Sequence, residues 1–120
     1  MDNLLAIRLR AVNFDLKINR AYRIHLGKDL SNHWYVTVNF GRYNTKGTSK
    51  TQYFDTRQEA YNFIDAKLKR RLSSPKRIGC PYQMVAVEGD NNTLSTIDKK
   101  VIERFSWFGR NINKVKRRMP

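Results

Sequence analysis

The sequence predicts an α+β fold: an antiparallel sheet of about five strands with one helix packed on it, followed by a C-terminal basic helix. Three observations lead there. Apolar and polar residues alternate in several runs of the first half, the period of a strand with one buried face. Near Thr56 the apolar period lengthens to that of a helix. The helical stripe then needs an apolar partner, and the inner faces of the strands are the only large one on offer.

From Leu5 to Leu9 apolar residues alternate with Ala6 and Arg8, and Tyr22, Ile24 and Leu26 alternate with Arg23 and His25. Trp34, Val36, Val38 and Phe40 continue the pattern against Tyr35, Thr37 and Asn39, which makes this the clearest strand. Trp34 is expected in the core and Tyr35 on the other side. Tyr43 to Thr48 supplies a turn whose Asn and Gly tolerate positive φ, and Lys50 to Phe54 returns as the hairpin partner. Thr56 with Glu59 forms a capping box, and Ala60, Phe63, Ile64, Leu68 and Leu72 follow on one helical face. Ser73-Ser74-Pro75 ends that helix, Tyr82 to Val87 reads as a last strand, and Glu88 to Thr93 reads as a polar linker. Ser95 then caps a second helix with Ile97, Val101, Ile102, Phe105 and Phe108 at helical spacing and Gly109 as its stop. The expected organisation is a domain over 1–92 and a basic helical extension over 93–120, whose tail is a disordered arm or a helix that forms on binding.

The formal net charge of +14 on 120 residues far exceeds what solubility requires, and so much like charge opposes compaction. A polyanion would relieve it, with steeply salt-dependent affinity from counterion release. Leu4-Leu5-Ala6-Ile7 is too short an apolar stretch for a secretory signal, and no run is long and apolar enough for a membrane-spanning helix. A single cysteine, Cys80, and two histidines, His25 and His33, offer no intrachain disulfide and no zinc-site spacing, so no metal or cofactor is expected and the compartment reads as a reducing cytoplasm. Nothing in the placement of Ser, Asp and His supplies a nucleophile with an oriented base, and no Gly-rich phosphate loop occurs. The expectation is a non-catalytic protein.

From about Arg10 to Tyr82 the order of motifs resembles a bacterial stand-alone WGR domain. Asn19-Arg20-Ala21-Tyr22 resembles that family's Arg-Phe-Tyr at its second strand, and Leu30-Ser31-Asn32-His33-Trp34 its Leu-Phe-Gly-Gly-Trp link. Phe40-Gly41-Arg42 stands at the Trp-Gly-Arg signature, and Tyr53-Phe54-Asp55-Thr56 with Glu59-Ala60 matches its Phe-Asp-Ser-x-x-Glu-Ala helix start. Two departures stand out: Phe40 replaces the signature tryptophan, and Gly79-Cys80-Pro81-Tyr82 replaces a tighter Gly-Tyr. In poly(ADP-ribose) polymerases the WGR module binds DNA at strand ends, its tryptophan packing on a terminal sugar and its arginine contacting the backbone. The resemblance implies those roles for Phe40 and Arg42, without the indole N–H donor. Read from the residues alone, Phe40 suits either the core or a ligand platform, and Arg42 either a phosphate or an ion pair with Asp55 or Glu59.

The candidate nucleic-acid residues are therefore Phe40, Gly41 and Arg42, with Lys46 and Lys50 beside the same turn and Arg20 directed to it if the resemblance holds along the second strand. Lys67, Lys69, Arg70, Arg71, Lys76 and Arg77 form a run without an intervening acid, and Lys114, Lys116, Arg117 and Arg118 make the tail basic. Lys69 and Arg70 are expected opposite the apolar stripe, with Lys67 and Arg71 on its flanks. The leading expectation is a DNA-binding module that grips phosphates and prefers ends or nicks, cytoplasmic and nucleoid-associated in a bacterium. Other classes are an RNA-binding protein whose exposed aromatics stack unpaired bases, an adaptor that offers the 97–108 helix to a protein partner, and, last, an anionic membrane surface as partner. Burial of Phe105 and Phe108 separates the adaptor from the rest.

Overall fold

The structure is a computed structural model that describes residues 2–90, 93–94, 99–108 and 115–118. Its elements are β1 (Asp2–Asn13), β2 (Ile18–Lys28), β3 (Trp34–Arg42), β4 (Thr48–Phe54), α1 (Arg57–Leu72), α2 (Ser74–Ile78), β5 (Gln83–Asp90), α3 (Lys99–Glu103) and β6 (Val115–Arg118). The sheet order is β4-β3-β2-β1-β5-β6. The first five strands pair antiparallel, as the alternation predicts, and β6 joins β5 in parallel.

Register explains which side is dry. Opposite one another run Leu5 and Leu26, Ile7 and Ile24, and Leu9 and Tyr22 on β1 and β2, and Ile24 and Leu26 then face Val38 and Val36 on β3. Ala60, Ile64 and Leu68, one helical turn apart, close α1 over this face. Thr56 caps α1 by accepting the Glu59 amide proton at 3.2 Å, so the capping box is in place. At the other end Ser74 is buried, donating from Oγ to the Cys80 carbonyl (2.9 Å) and accepting from the Tyr82 amide (3.2 Å), which fixes α2 against the start of β5.

The segment after β5 departs from expectation. Glu88 to Asp90 are not a linker but the end of β5, paired through Ala6 and Leu5 of β1. The second helix is described over Lys99–Glu103 and ends there, short of Phe105 and Phe108, while Ser95, Ile97, Gly109 and Lys114 lie outside the described residues. It stops because the edge of β5 competes for its backbone: the Met84 amide donates to the Ser106 carbonyl and the Phe108 amide to the Met84 carbonyl, both at 2.8 Å. Lys116, Arg117 and Arg118, expected on a helix or a free arm, lie on β6 beside Glu88, Gly89 and Asp90. Val101 and Phe105 enter the same core as α1, so this segment completes the dry face of the sheet.

Trp34 is only partly buried against the core, with the Lys28 ammonium 4.9 Å from its ring centre, whereas Tyr35 on the opposite side is 5% exposed. The reason is Gly27, directly across the ladder: its missing side chain leaves the space that the Tyr35 ring occupies. His25 and Tyr53 pack edge-on and tilted against that ring.

Candidate nucleic-acid interface

Between α1 and strands β3 and β4 lies a groove of about 610 Å³. Its floor is made by Tyr22, Val38, Phe40 and Phe63, and its rim carries Lys50, Lys67 and Arg71. Helix periodicity places Phe63, Lys67 and Arg71 on one flank at successive i, i+4 positions, so the apolar stripe passes directly into a basic one. Lys50 enters from β4 because it pairs with Val38 of β3, on the helix side of the sheet.

Each cation sits over an aromatic ring: Lys50 Nζ 5.9 Å from the Phe40 centre, Lys67 Nζ 5.0 Å from Phe63, and the Arg71 guanidinium 4.5 Å from Tyr22 and 5.8 Å from Tyr82. Ring faces hold the stems in place without neutralising the charge. Arg71 Nε is buried and has no hydrogen-bond partner, so part of its donor capacity stays open. Burial pushes the Tyr22 hydroxyl above its ordinary pKa against the opposing pull of Arg71, which keeps the ring neutral beneath that guanidinium.

Phe40, open in the sequence to the core or the surface, is half-buried. It packs partly on the core and lines the groove with the remainder of its ring. Arg42 lies directly opposite Arg20, two rows beyond the Phe40–Tyr22 pair and on the same side of the sheet by alternation. Like charges facing each other across a ladder are unfavourable by a few tenths to about 1 kcal/mol. The ion pair of Arg42 with Asp55 or Glu59 does not form; Lys69 pairs with Asp65 at 2.9 Å instead, and the His33 ring stands 3.7 Å from the Asp29 carboxylate. Gly41 serves the hairpin, since a Cβ there would stand 2.9 Å from the Gly47 Cα. Gly47 itself turns at φ 67°, and Lys46 beside it accepts from Asn39 Nδ2 at its carbonyl while its side chain is exposed.

A family model described as the WGR domain matches residues 6–74. The chain belongs to the WGR family. WGR domains are in general nucleic-acid-binding modules rather than catalytic ones. Comparison with curated proteins finds no match.

The remaining predicted residues of this WGR chain do not gather at the groove. Lys69 points outward to Asp65 at 2.9 Å. Arg77 donates from Nη2 to the Arg70 carbonyl (2.7 Å) and from Nε to Ser73 Oγ (3.3 Å), so it serves as a cap for the C-terminus of α1. Lys76 and Arg70 are exposed near the same helix end. Lys116 to Arg118 lie at the edge of the sheet farthest from β4 and the groove.

Sequence reading missed a cluster on the other side of the sheet. Arg8 pairs directly with Arg23, and Arg10 follows two residues along β1 on the same face. The Arg10 guanidinium lies 3.5 Å from the Tyr43 ring centre and 5.0 Å from that of Phe108. The signal was present: the period of two that sends Leu5, Ile7 and Leu9 inward sends Arg8 and Arg10 outward.

Proposed function

We propose that this WGR protein is a non-catalytic DNA-binding module that grips the phosphate backbone along the α1–β4 groove and engages strand ends or nicks through Phe40 and Arg42. One observation carries the reading: the half-covered ring of Phe40 lies in a groove rimmed by Lys50, Lys67 and Arg71. The Arg20–Arg42 pair, two ladder rows beyond Phe40, extends the cationic track. A terminal sugar or unstacked base has an apolar surface to rest on, and the adjoining phosphates meet cations that lack carboxylate partners among the described residues. DNA takes precedence over RNA by the resemblance to the DNA-binding WGR module of the polymerases, whose signature position here falls at the groove.

The test is competition among nicked, blunt-ended and closed circular DNA of one sequence, with structured RNA as a fourth competitor. Nicked and blunt DNA should displace a labelled duplex at lower concentration than the circle, and Phe40→Ala should erase that difference while leaving salt-dependent binding in place. A wild-type protein that binds the circle as tightly as the nicked form refutes the end reading. The adaptor reading turns on Phe105 and Phe108: Phe105 is 4% exposed, and Phe108 is half-buried with its amide bonded to the Met84 carbonyl.

A further inference from the structure

We infer that the face of the sheet opposite α1 carries a second nucleic-acid site, built on Arg8, Arg10 and Arg23, that takes an unpaired strand. The inference rests on the nucleic-acid reading above only in the class of ligand, since it uses other residues and the opposite side of the sheet. These arginines surround a cavity of about 270 Å³ walled by Tyr43 and Phe108 and floored in part by Ala21.

Three physical features point to a phosphate there. First, Arg8 and Arg23 stand opposite each other in the ladder, an arrangement that costs stability in the free protein and is relieved by an anion between them. In-register Glu88 pairs with Ala6, two residues before Arg8 on β1, and the described ion pairs involve none of the three arginines. Second, Arg10 is oriented in advance: it stacks on Tyr43, has Phe108 nearby, and donates from Nε to Asn19 Oδ1 at 3.2 Å. Its two terminal nitrogens make no hydrogen bond to a described residue, which leaves the paired donors that fit a phosphodiester. Third, the small residues Ala21 and Gly41, adjacent in the Arg10 row, let a strand approach the backbone closely.

An unpaired strand fits better than a duplex. Tyr43 is 45% exposed beside the arginines and Tyr53 61% exposed toward β4, and both belong to the open face. Aromatic rings flanking a cationic track hold single strands by base stacking, whereas a duplex presents no free base faces along its length. Between the two tyrosines lie Asn39, bonded to Ser49 at 2.8 Å, and Thr37, bonded to Thr51 at 2.8 Å, a polar surface for the sugar-phosphate chain.

The experiment uses the full chain and a labelled thymidine oligonucleotide, with a closed circular duplex in parallel. Arg8→Gln with Arg23→Gln should weaken oligonucleotide binding about tenfold or more and flatten its log–log salt slope by about 1.4, at about 0.7 for each single-strand phosphate no longer neutralised. The same variant should hold the duplex as wild type does, and its melting temperature should be unchanged or higher because the facing pair is removed. Lys50→Met, Lys67→Met and Arg71→Met together should show the converse, losing duplex and keeping the oligonucleotide. An unaltered oligonucleotide slope in the double variant overturns the inference, as does an equal loss on duplex and single strand. If the groove variant leaves duplex binding intact, the groove reading fails while the single-strand result still decides this one.

Discussion

Replacing Lys50, Lys67 and Arg71 together by methionine gives a quantitative test of the groove. Five cations line it or its end: Arg20, Arg42, Lys50, Lys67 and Arg71. If each neutralises one phosphate of a duplex, at about 0.9 of slope per phosphate, they contribute a slope near −4.5 in log affinity against log salt. Raising salt fourfold, from about 50 to about 200 mM, then lowers affinity by about 500-fold through these residues alone. With three removed the contribution drops to about −1.8, or about twelvefold over the same range. Cations elsewhere add equally to both proteins, so the diagnostic quantity is the difference in slope, about 2.7. Methionine retains an unbranched stem to lie on Phe40, Phe63 and Tyr22, while giving up cation–π attraction of roughly 0.5–2 kcal/mol at each site. Fluorescence anisotropy of a nicked duplex at several salt concentrations reads the slope, and circular dichroism verifies the fold, with Lys50→Met and Lys67→Met as the milder pair. A slope difference below about 1 would refute the groove as the principal phosphate track.

Phe105→Ala should destabilise the protein by about 3–5 kcal/mol, because its ring is 4% exposed in the shared core; a surface ring would change the denaturation midpoint hardly at all. Gly47→Ala should cost about 1–3 kcal/mol, since φ is 67° and the new Cβ would stand 2.7 Å from the Phe40 carbonyl oxygen, a strain visible as a lower melting temperature. Ser74→Ala strands the buried Tyr82 amide and should cost about 1–3 kcal/mol in urea denaturation, more than Ser73→Ala on the exposed side.

Much of this architecture is legible in the residues because it depends on local period. Alternation in β1 to β4, the capping box at Thr56 and the i, i+4 stripe of α1 follow from short-range patterns that the tertiary structure does not override. The features that sequence reading misses depend on partners distant along the chain. The Lys99–Glu103 helix is curtailed by the edge of β5, and the sequence Val-Lys-Arg-Arg of β6 has no apolar face to announce a strand. Tyr35 is buried on the otherwise open face because of a cavity at Gly27, which periodicity cannot reveal. For the groove, the signature position pointed to Phe40 and Arg42, and the helical run to Lys67 and Arg71. Which cations share a surface required the register: Lys50 joins the groove through its pairing with Val38, while Lys69 and Arg77 bond locally. Arg8 and Arg10 occupy the polar half of the β1 alternation, and only the register shows that Arg23 joins them.

The place of β1 between β2 and β5 matters for any attempt to isolate the WGR unit. A fragment trimmed to the matched residues 6–74 would lack β5 and leave the hydrogen-bonding edge of β1 unpaired beside Ile7 and Leu9. Unpaired edges backed by apolar side chains recruit other copies of themselves, so such a fragment should precipitate or form fibrils at concentrations the whole chain tolerates. In the intact sheet the outermost strands are β4, polar and bearing Lys50, and β6, three of whose four residues are Lys or Arg. Positive charge at both margins makes strand-to-strand stacking of two copies repulsive, so cations of a polyanion binder also act as gatekeepers against self-assembly.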